Sequence, residues 1–480
     1  MKRAGSLIAP SGNLIVPSGS LIVVAACAIA YGALSVPEQT AIDRISADSL
    51  RTNLSYLASD ALEGRATPSP GLDLAADYIA AQFQHAGLAP AAGDSYFQTA
   101  NFDLATVDME GFRLALTSGS QVINVSRDGV RVRSLAALDL TGAPVLKLPG
   151  NGAIPPIAGK VVAGDERRYG ADTFLTELKA RKPALILLIG KTDNAPRRRN
   201  TFLDEAEGDH VPVIRIRRSE AAALLADRGD MAITLHLAKP ALKEAVLRNV
   251  AALLKGSDAA LRDQYLLVTA HYDHLGRDSK GIFDGANDNG SGTVSVIEIA
   301  RALAALNPHP KRSVVFMTVF GEEEGLLGSY YYAQHPLVPL QKTVANVNLE
   351  QMGRTDEKSG PRILAFTFTG PSYSNLPEIM SGAAKAEGIN VWKLKDADSY
   401  FDRSDNYAFA LRGVVAHTIA VAAEYPDYHA LGDKPDKIDY ANMAKVDRGV
   451  AAGIVALADD PEPPRWSNSP GAAIYRDAGR

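Results

Sequence analysis

The 480-residue chain has a single cysteine, Cys27. That excludes an intramolecular disulfide framework and any metal site built from thiolates, so an ion here must be held by His, Asp and Glu. An excess of basic charge is missing too. The 50 Lys and Arg against 55 Asp and Glu leave a formal net charge of −5, which argues against a nucleic-acid partner. The apolar run at residues 21–33, LIVVAACAIAYGA, is shorter than the roughly 20 residues of a transmembrane helix. What remains, 46% hydrophobic and 22% charged residues, is the composition of a soluble globular protein, long enough for two or more domains.

Lys2 and Arg3 precede the apolar run, and residues 1–38 read as an export signal. Two readings stay open. Cleavage near Ala33 or Ser35 would release a periplasmic or secreted protein. Processing at Val24-Ala25-Ala26-Cys27 would instead leave Cys27 as a lipidated first residue and a membrane anchor.

Residues 39–113 begin with helical periodicity: Leu74, Ala75, Tyr78, Ile79 and Phe83 share a face, and Gly87 follows as a C-terminal cap. From 114 to 240 the texture changes to short β-like runs, at 144–148, 160–163, 184–189 and 211–216. Helices are predicted at 172–180 and 219–228. Only isolated His210 and His236 and the basic run Arg197-Arg198-Arg199 stand out there; the histidines read as surface or satisfied core and the arginines as a solvated loop. Across 241–460 strands at 265–270, 313–319, 343–349, 363–369 and 413–419 alternate with helices at 292–306, 326–334, 376–386 and 441–458. That alternation predicts an α/β layer sandwich on a mostly parallel mixed sheet. Residues 461–480 lack periodicity and read as a flexible tail.

The chemistry gathers at predicted strand ends. His271-Tyr272-Asp273 follows an apolar strand; a neutral imidazole is a good zinc ligand, and a nearby carboxylate can take its other N–H. Asp288 sits among Gly285, Gly290 and Gly292 in GANDNGSG, with Ser291 expected to cap the next helix. Glu322-Glu323-Glu324 follows SVVFMTVF, and adjacent carboxylates repel unless cations compensate them. In an extended chain neighbouring side chains would point apart, one ligating and the other facing water. Glu350 ends another apolar strand, and Tyr428-His429 closes EYPDYH. Two divalent ions balance Asp288, Glu323, Glu350 and one hydroxide, so the count favours two ions over one.

In order, AHYDHLG, GANDNGSG, EEEGLLGS, NLEQMGR and DYH resemble the M28 family of zinc aminopeptidases. LASDALEGR and AADYIAAQF resemble the N-terminal part of its bacterial members, so the likeness spans about residues 50–458. It implies a three-layer zinc-exopeptidase sandwich with an inserted, β-rich protease-associated domain at 114–240. It also implies two zinc ions per chain bridged by Asp288, with His271 and Glu350 on one and Glu323 and His429 on the other. Glu322 would be the general base, Asp273 would orient His271, and Tyr428 would polarise the substrate carbonyl of a peptide with a free N-terminus. Ser404-Asp405 resembles a family S-D-H element with Asn406 in place of His, and Glu350 stands where many members have Asp. A carboxypeptidase, a glutaminyl cyclase on the same fold, and a non-catalytic binding relative are the alternative readings.

Overall fold

The computed structural model describes residues 34–170, 172–191, 201–203, 211–226 and 229–479. The expected export signal with Cys27, the Arg197–Arg199 run and His210 lie outside these residues.

The chain is a mixed α/β fold on two large sheets. The ten-stranded sheet is built from β1 (Phe97–Thr106), β2 (Ala241–Leu254), β3 (Tyr265–His271), β4 (Ser313–Val319), β5 (Thr343–Glu350), β6 (Ala365–Phe368) and β7 (Val415–Ala420), with three two- or three-residue strands on its flanks. Its order is β6-β7-β5-β3-β4-β2-β1. Neighbours among β7, β5, β3 and β4 are parallel, while β2 pairs antiparallel with β4, β1 with β2 and β6 with β7.

The parallel strands are buried on both faces. Leu266, Val268 and Ala270 join a core that includes Val294 and Ile297 of helix α1 (Gly292–Ala304). Leu267, one residue out of phase, packs on the opposite side in a cluster with Tyr332 and Phe409. Covering both faces is why these strands read as unbroken apolar runs. Their C-terminal ends fall along one edge, with His271 opposite Val319 and Glu350 opposite Ala420. Open parallel sheets collect their ligands at this edge.

A second, eight-stranded sheet runs from Arg113–Ser118 to Met231–Leu237 and closes on cores of its own. Its middle strands, Leu138–Lys147, Val161–Asp165, Leu185–Ile189 and Val213–Ile216, are also parallel.

Two regions differ from the sequence expectation. Periodicity does not announce β1, because its buried positions include small or polar Gln98, Ala100 and Ala105. The tail expected to be flexible from 461 is docked instead. Trp466 Nε1 donates to Gly413 O at 3.0 Å, and Arg465 N donates to Asn375 Oδ1 at 2.6 Å. Tyr475 on the helix Ala473–Ala478 packs its ring 5.0 Å from Phe401 and 5.3 Å from Trp466. A few aromatic anchors hold this segment, and a periodicity scan does not detect them. Among the described residues no helix is long and apolar enough to cross a membrane.

Candidate metal centre

Three loops leaving the parallel edge bring the candidate ligands together. β3 delivers His271, whose Nε2 lies 3.1 Å from Glu350 Oε1 at the end of β5 and 3.5 Å from Asp288 Oδ1. His429, on the loop after β7, places Nε2 2.8 Å from Asp288 Oδ2 and 2.9 Å from Glu323 Oε1. Asp288 thus faces both groups, one oxygen to each. His271, Asp288 and Glu323 are buried, and Glu350 and His429 nearly so.

Opposite charges compensate one another within this cluster. Burial alone would depress His271, but Glu350, Asp273 and Asp288 hold its pKa well above the usual imidazole value. Burial likewise opposes charge on His429, yet Asp288 and Glu323 raise it to about 9. Burial pushes Asp288 and Glu323 up, and the facing histidines more than offset it, leaving both carboxyls below the ordinary range. Glu322 behaves oppositely: burial, with Glu323, Glu350 and Asp405 nearby, lifts its pKa well above that of a free carboxylate despite His271.

Neighbouring residues hold two of the candidate ligands, His271 and Glu350. His271 Nδ1 sits 3.2 Å from the Asp273 carbonyl and 3.5 Å from its carboxylate. The same carboxylate accepts from Glu322 N and Thr67 Oγ1, both at 3.1 Å. Asp273 therefore touches both His271 and the backbone of Glu322. Ser404 Oγ donates to Glu350 Oε2 and accepts from Asn348 Nδ2. Asn406 stays structural, tying Phe401 O to Thr418 Oγ1.

Three contributors carry no role in the sequence reading. Asp433, buried, accepts from Asn287 N at 2.9 Å and Asp288 N at 3.0 Å, so it holds the backbone of the shared ligand. Fully buried Arg65 donates to the carbonyls of Leu57, Tyr272, Asp284 and Gly285, clamping the His271 and Asp288 loops together. Each buried carbonyl left without a donor would cost about 1–3 kcal/mol. His274, three residues beyond His271, is buried with Nδ1 3.1 Å from Glu323 Oε1. Only AHYDHLG itself hinted at His274, and no spacing rule distinguishes it from a core histidine.

Local geometry corrects two expectations. Glu322 and Glu323 lie in a turn rather than extended chain: the amides of Gly325 and Leu326 both donate to Glu322 O, at 2.8 and 3.0 Å. The strand has already ended at Val319, so strand alternation does not govern the pair. Helix α1 is capped by Asn289 Oδ1, which accepts from Gly292 N at 3.0 Å, while Ser291 Oγ donates back to Asn287 O. A side chain at Gly292 would put its Cβ 2.3 Å from Leu349 O, so glycine lets β5 approach here. Tyr428 is 49% exposed and stacks on His429 with ring centroids 3.8 Å apart. Glu324 belongs to neither candidate ligand group.

The donor set suits zinc, which takes His nitrogen and carboxylate oxygen readily. His274 Nδ1 and His429 Nε2 both face Asp288 Oδ2 and Glu323 Oε1, a convergence of buried nitrogen and oxygen donors that a cation would suit.

Residues 249–454 match the model of Peptidase family M28. The chain is 26% identical over 459 residues to a probable lipoprotein aminopeptidase, LpqL, of Mycobacterium tuberculosis, covering 87% of this chain and 86% of that one. Aminopeptidase YwaD of Bacillus subtilis is 34% identical over 206 residues, 42% of this chain and 41% of its own length. In fold, the chain resembles an aminopeptidase from Aneurinibacillus sp. strain AM-1 with a TM-score of 0.63 at 19% identity, covering 90% of this chain and 98% of that one. A zinc aminopeptidase from Bacillus subtilis gives 0.52 at 18% identity, over 90% and 99% of the two chains.

Proposed function

We propose that the chain is a zinc-dependent exopeptidase of the M28 type, an aminopeptidase that removes N-terminal residues from peptides. The observation that carries this reading is the pair of ligand groups sharing Asp288: His271 and Glu350 on one side, Glu323 and His429 on the other. Two zinc ions per chain fit that pairing. When bound, such ions supply Lewis acidity towards a scissile carbonyl and lower the pKa of water towards about 7.

The chain's own residues supply the rest. Glu322, pinned through its amide by Asp273 and raised in pKa by its surroundings, takes a proton from the attacking water and returns it to the leaving amine. Asp273 and Ser404 keep His271 and Glu350 in ligating orientation. Tyr428, at the exposed rim beside His429, offers its hydroxyl to the substrate carbonyl. The free α-amino group of the peptide is drawn to the carboxylate-rich floor, which confines cleavage to chain ends.

The two-faced core supports reading the larger sheet as the middle of a three-layer sandwich, and the separate sheet of 113–237 as a protease-associated insertion. Export, by a cleaved signal or through lipidated Cys27, accords with the lipoprotein named among the relatives.

Aminoacyl chromogenic substrates, free and N-acetylated, test the proposal with and without chelator. Release from the free amine alone, lost on chelation and restored by zinc, is expected. Equal cleavage of the blocked substrate, or indifference to chelator, overturns it.

A further inference from the structure

We propose that His274 is a third imidazole ligand of this centre, binding through Nδ1 the ion at the Glu323–His429 end. The inference rests on the two-ion reading above and makes the two subsites unequal: four protein groups at one, three at the other.

The geometry is that of a ligand. His274 Nδ1 lies 3.1 Å from Glu323 Oε1 and 4.0 Å from Asp288 Oδ2, the same two oxygens that face His429 Nε2 at 2.9 and 2.8 Å. A tetrahedral zinc with bonds of about 2.0–2.1 Å sets its ligand atoms about 3.3 Å apart, and these four separations straddle that value. The rings of His274 and His429 approach at 57° with centroids 5.7 Å apart, converging on the oxygens rather than stacking.

The chain also contains the alternative for comparison. His417 is a buried imidazole with a structural role, and both its nitrogens have hydrogen bonds, to Ser374 Oγ at 2.6 Å and Thr369 O at 2.9 Å. His274 is equally buried, but its Nδ1 faces carboxylate oxygens that His429 faces as well, and its Nε2 has no hydrogen bond among the described residues. A buried polar atom without one is costly unless something else satisfies it.

The backbone makes room for this ring. Gly285 has φ +56°, and a Cβ there would lie 2.4 Å from His274 Cγ and 2.5 Å from Cδ2. His274 N is itself fixed by Arg65 O at 3.1 Å. A glycine at this point of the Asp288 loop lets the ring reach the shared carboxylate.

Four protein ligands describe a closed zinc site and three an open one. The His271–Asp288–Glu350 subsite therefore keeps the open position, and the His274 subsite holds its ion more tightly.

Zinc X-ray absorption of the loaded wild-type protein counts imidazoles, and graded chelation follows the release of each ion. Three imidazoles per two ions and two-step release are expected. His274→Ala should lower the count to two and weaken the retained ion at least 10-fold, with the second site still filled at saturating zinc. Two imidazoles per two ions in the wild type overturns the assignment, whether or not the variant folds. So does unchanged two-step release in His274→Ala. A wild type that binds no zinc removes instead the aminopeptidase reading on which the inference stands.

Discussion

Both sheets have a parallel section, and both carry carboxylates where its strands end, yet among the described residues only one edge is a candidate centre. In the eight-stranded sheet Asp165 closes a strand and pairs with Arg218 at 3.1 Å, and Glu166 pairs with Arg215 at 2.9 Å. Guanidinium groups neutralise these acids through charge-assisted hydrogen bonds, both Arg218 terminal nitrogens donating to one Asp165 oxygen and Arg215 Nε to Glu166. In the ten-stranded sheet Asp288, Glu323 and Glu350 face imidazoles. An imidazole can give up its proton and ligate; a guanidinium cannot. The partner's chemistry, more than the position of the acid, distinguishes a metal site from a structural ion pair.

That contrast is sharpest at the shared ligand. Asp288→Ala should cost both ions, weakening zinc binding by at least about 10²-fold and abolishing turnover, since losing even an orienting partner typically costs about 10–100-fold. Metal analysis after gel filtration measures it. A variant that retains two ions would show that the two ligand groups do not depend on Asp288.

Proton linkage separates the edges less strongly. In the metal-free protein His429 has a pKa of about 9, above the unfolded value of about 6.5. A raised histidine contributes stability that is fully present below about pH 6.5 and is lost as pH rises through about 9. Melting of the apo-protein should therefore weaken across that window, by at most about 3 kcal/mol from His429. With zinc bound the histidine is deprotonated and the loss should vanish. Equal pH profiles with and without zinc would contradict the charge assignment.

The smallest effect belongs to the other edge. Asp165→Asn keeps the helix cap that Asp165 provides to Arg167 N and removes only its partly exposed pairing with Arg218. A loss of about 0.2–1 kcal/mol is expected, with zinc content and turnover unchanged. A change in zinc content would mean that the two edges are not chemically distinct.

The candidate ligands were legible because His271 and Glu350 stand where apolar strands end, and Asp288, Glu323 and His429 follow in the loops beyond such strands. Of the groups around them, Asp273 beside His271 was legible, and Arg65, Asp433 and His274 were not. Arg65 acts on carbonyl oxygens, which leave no trace in side-chain pattern, and Asp433 acts through the amides of Asn287 and Asp288. His274 depends on Gly285 admitting its ring, a contact between loops that spacing does not encode. In the fold, fully buried strands such as Ser313–Val319 were legible as apolar runs. The half-polar β1 and the aromatic-anchored tail were not, because their partners are distant in sequence.

The separation of roles between Glu322 and Glu323 is tested most directly by one variant. Glu322→Gln and wild type are compared for zinc content and for turnover of a free aminoacyl substrate. A general base distinct from the ligands requires the same zinc content in both, with turnover in the variant lower by about 10²–10⁴-fold. Near-normal turnover with zinc intact would contradict it.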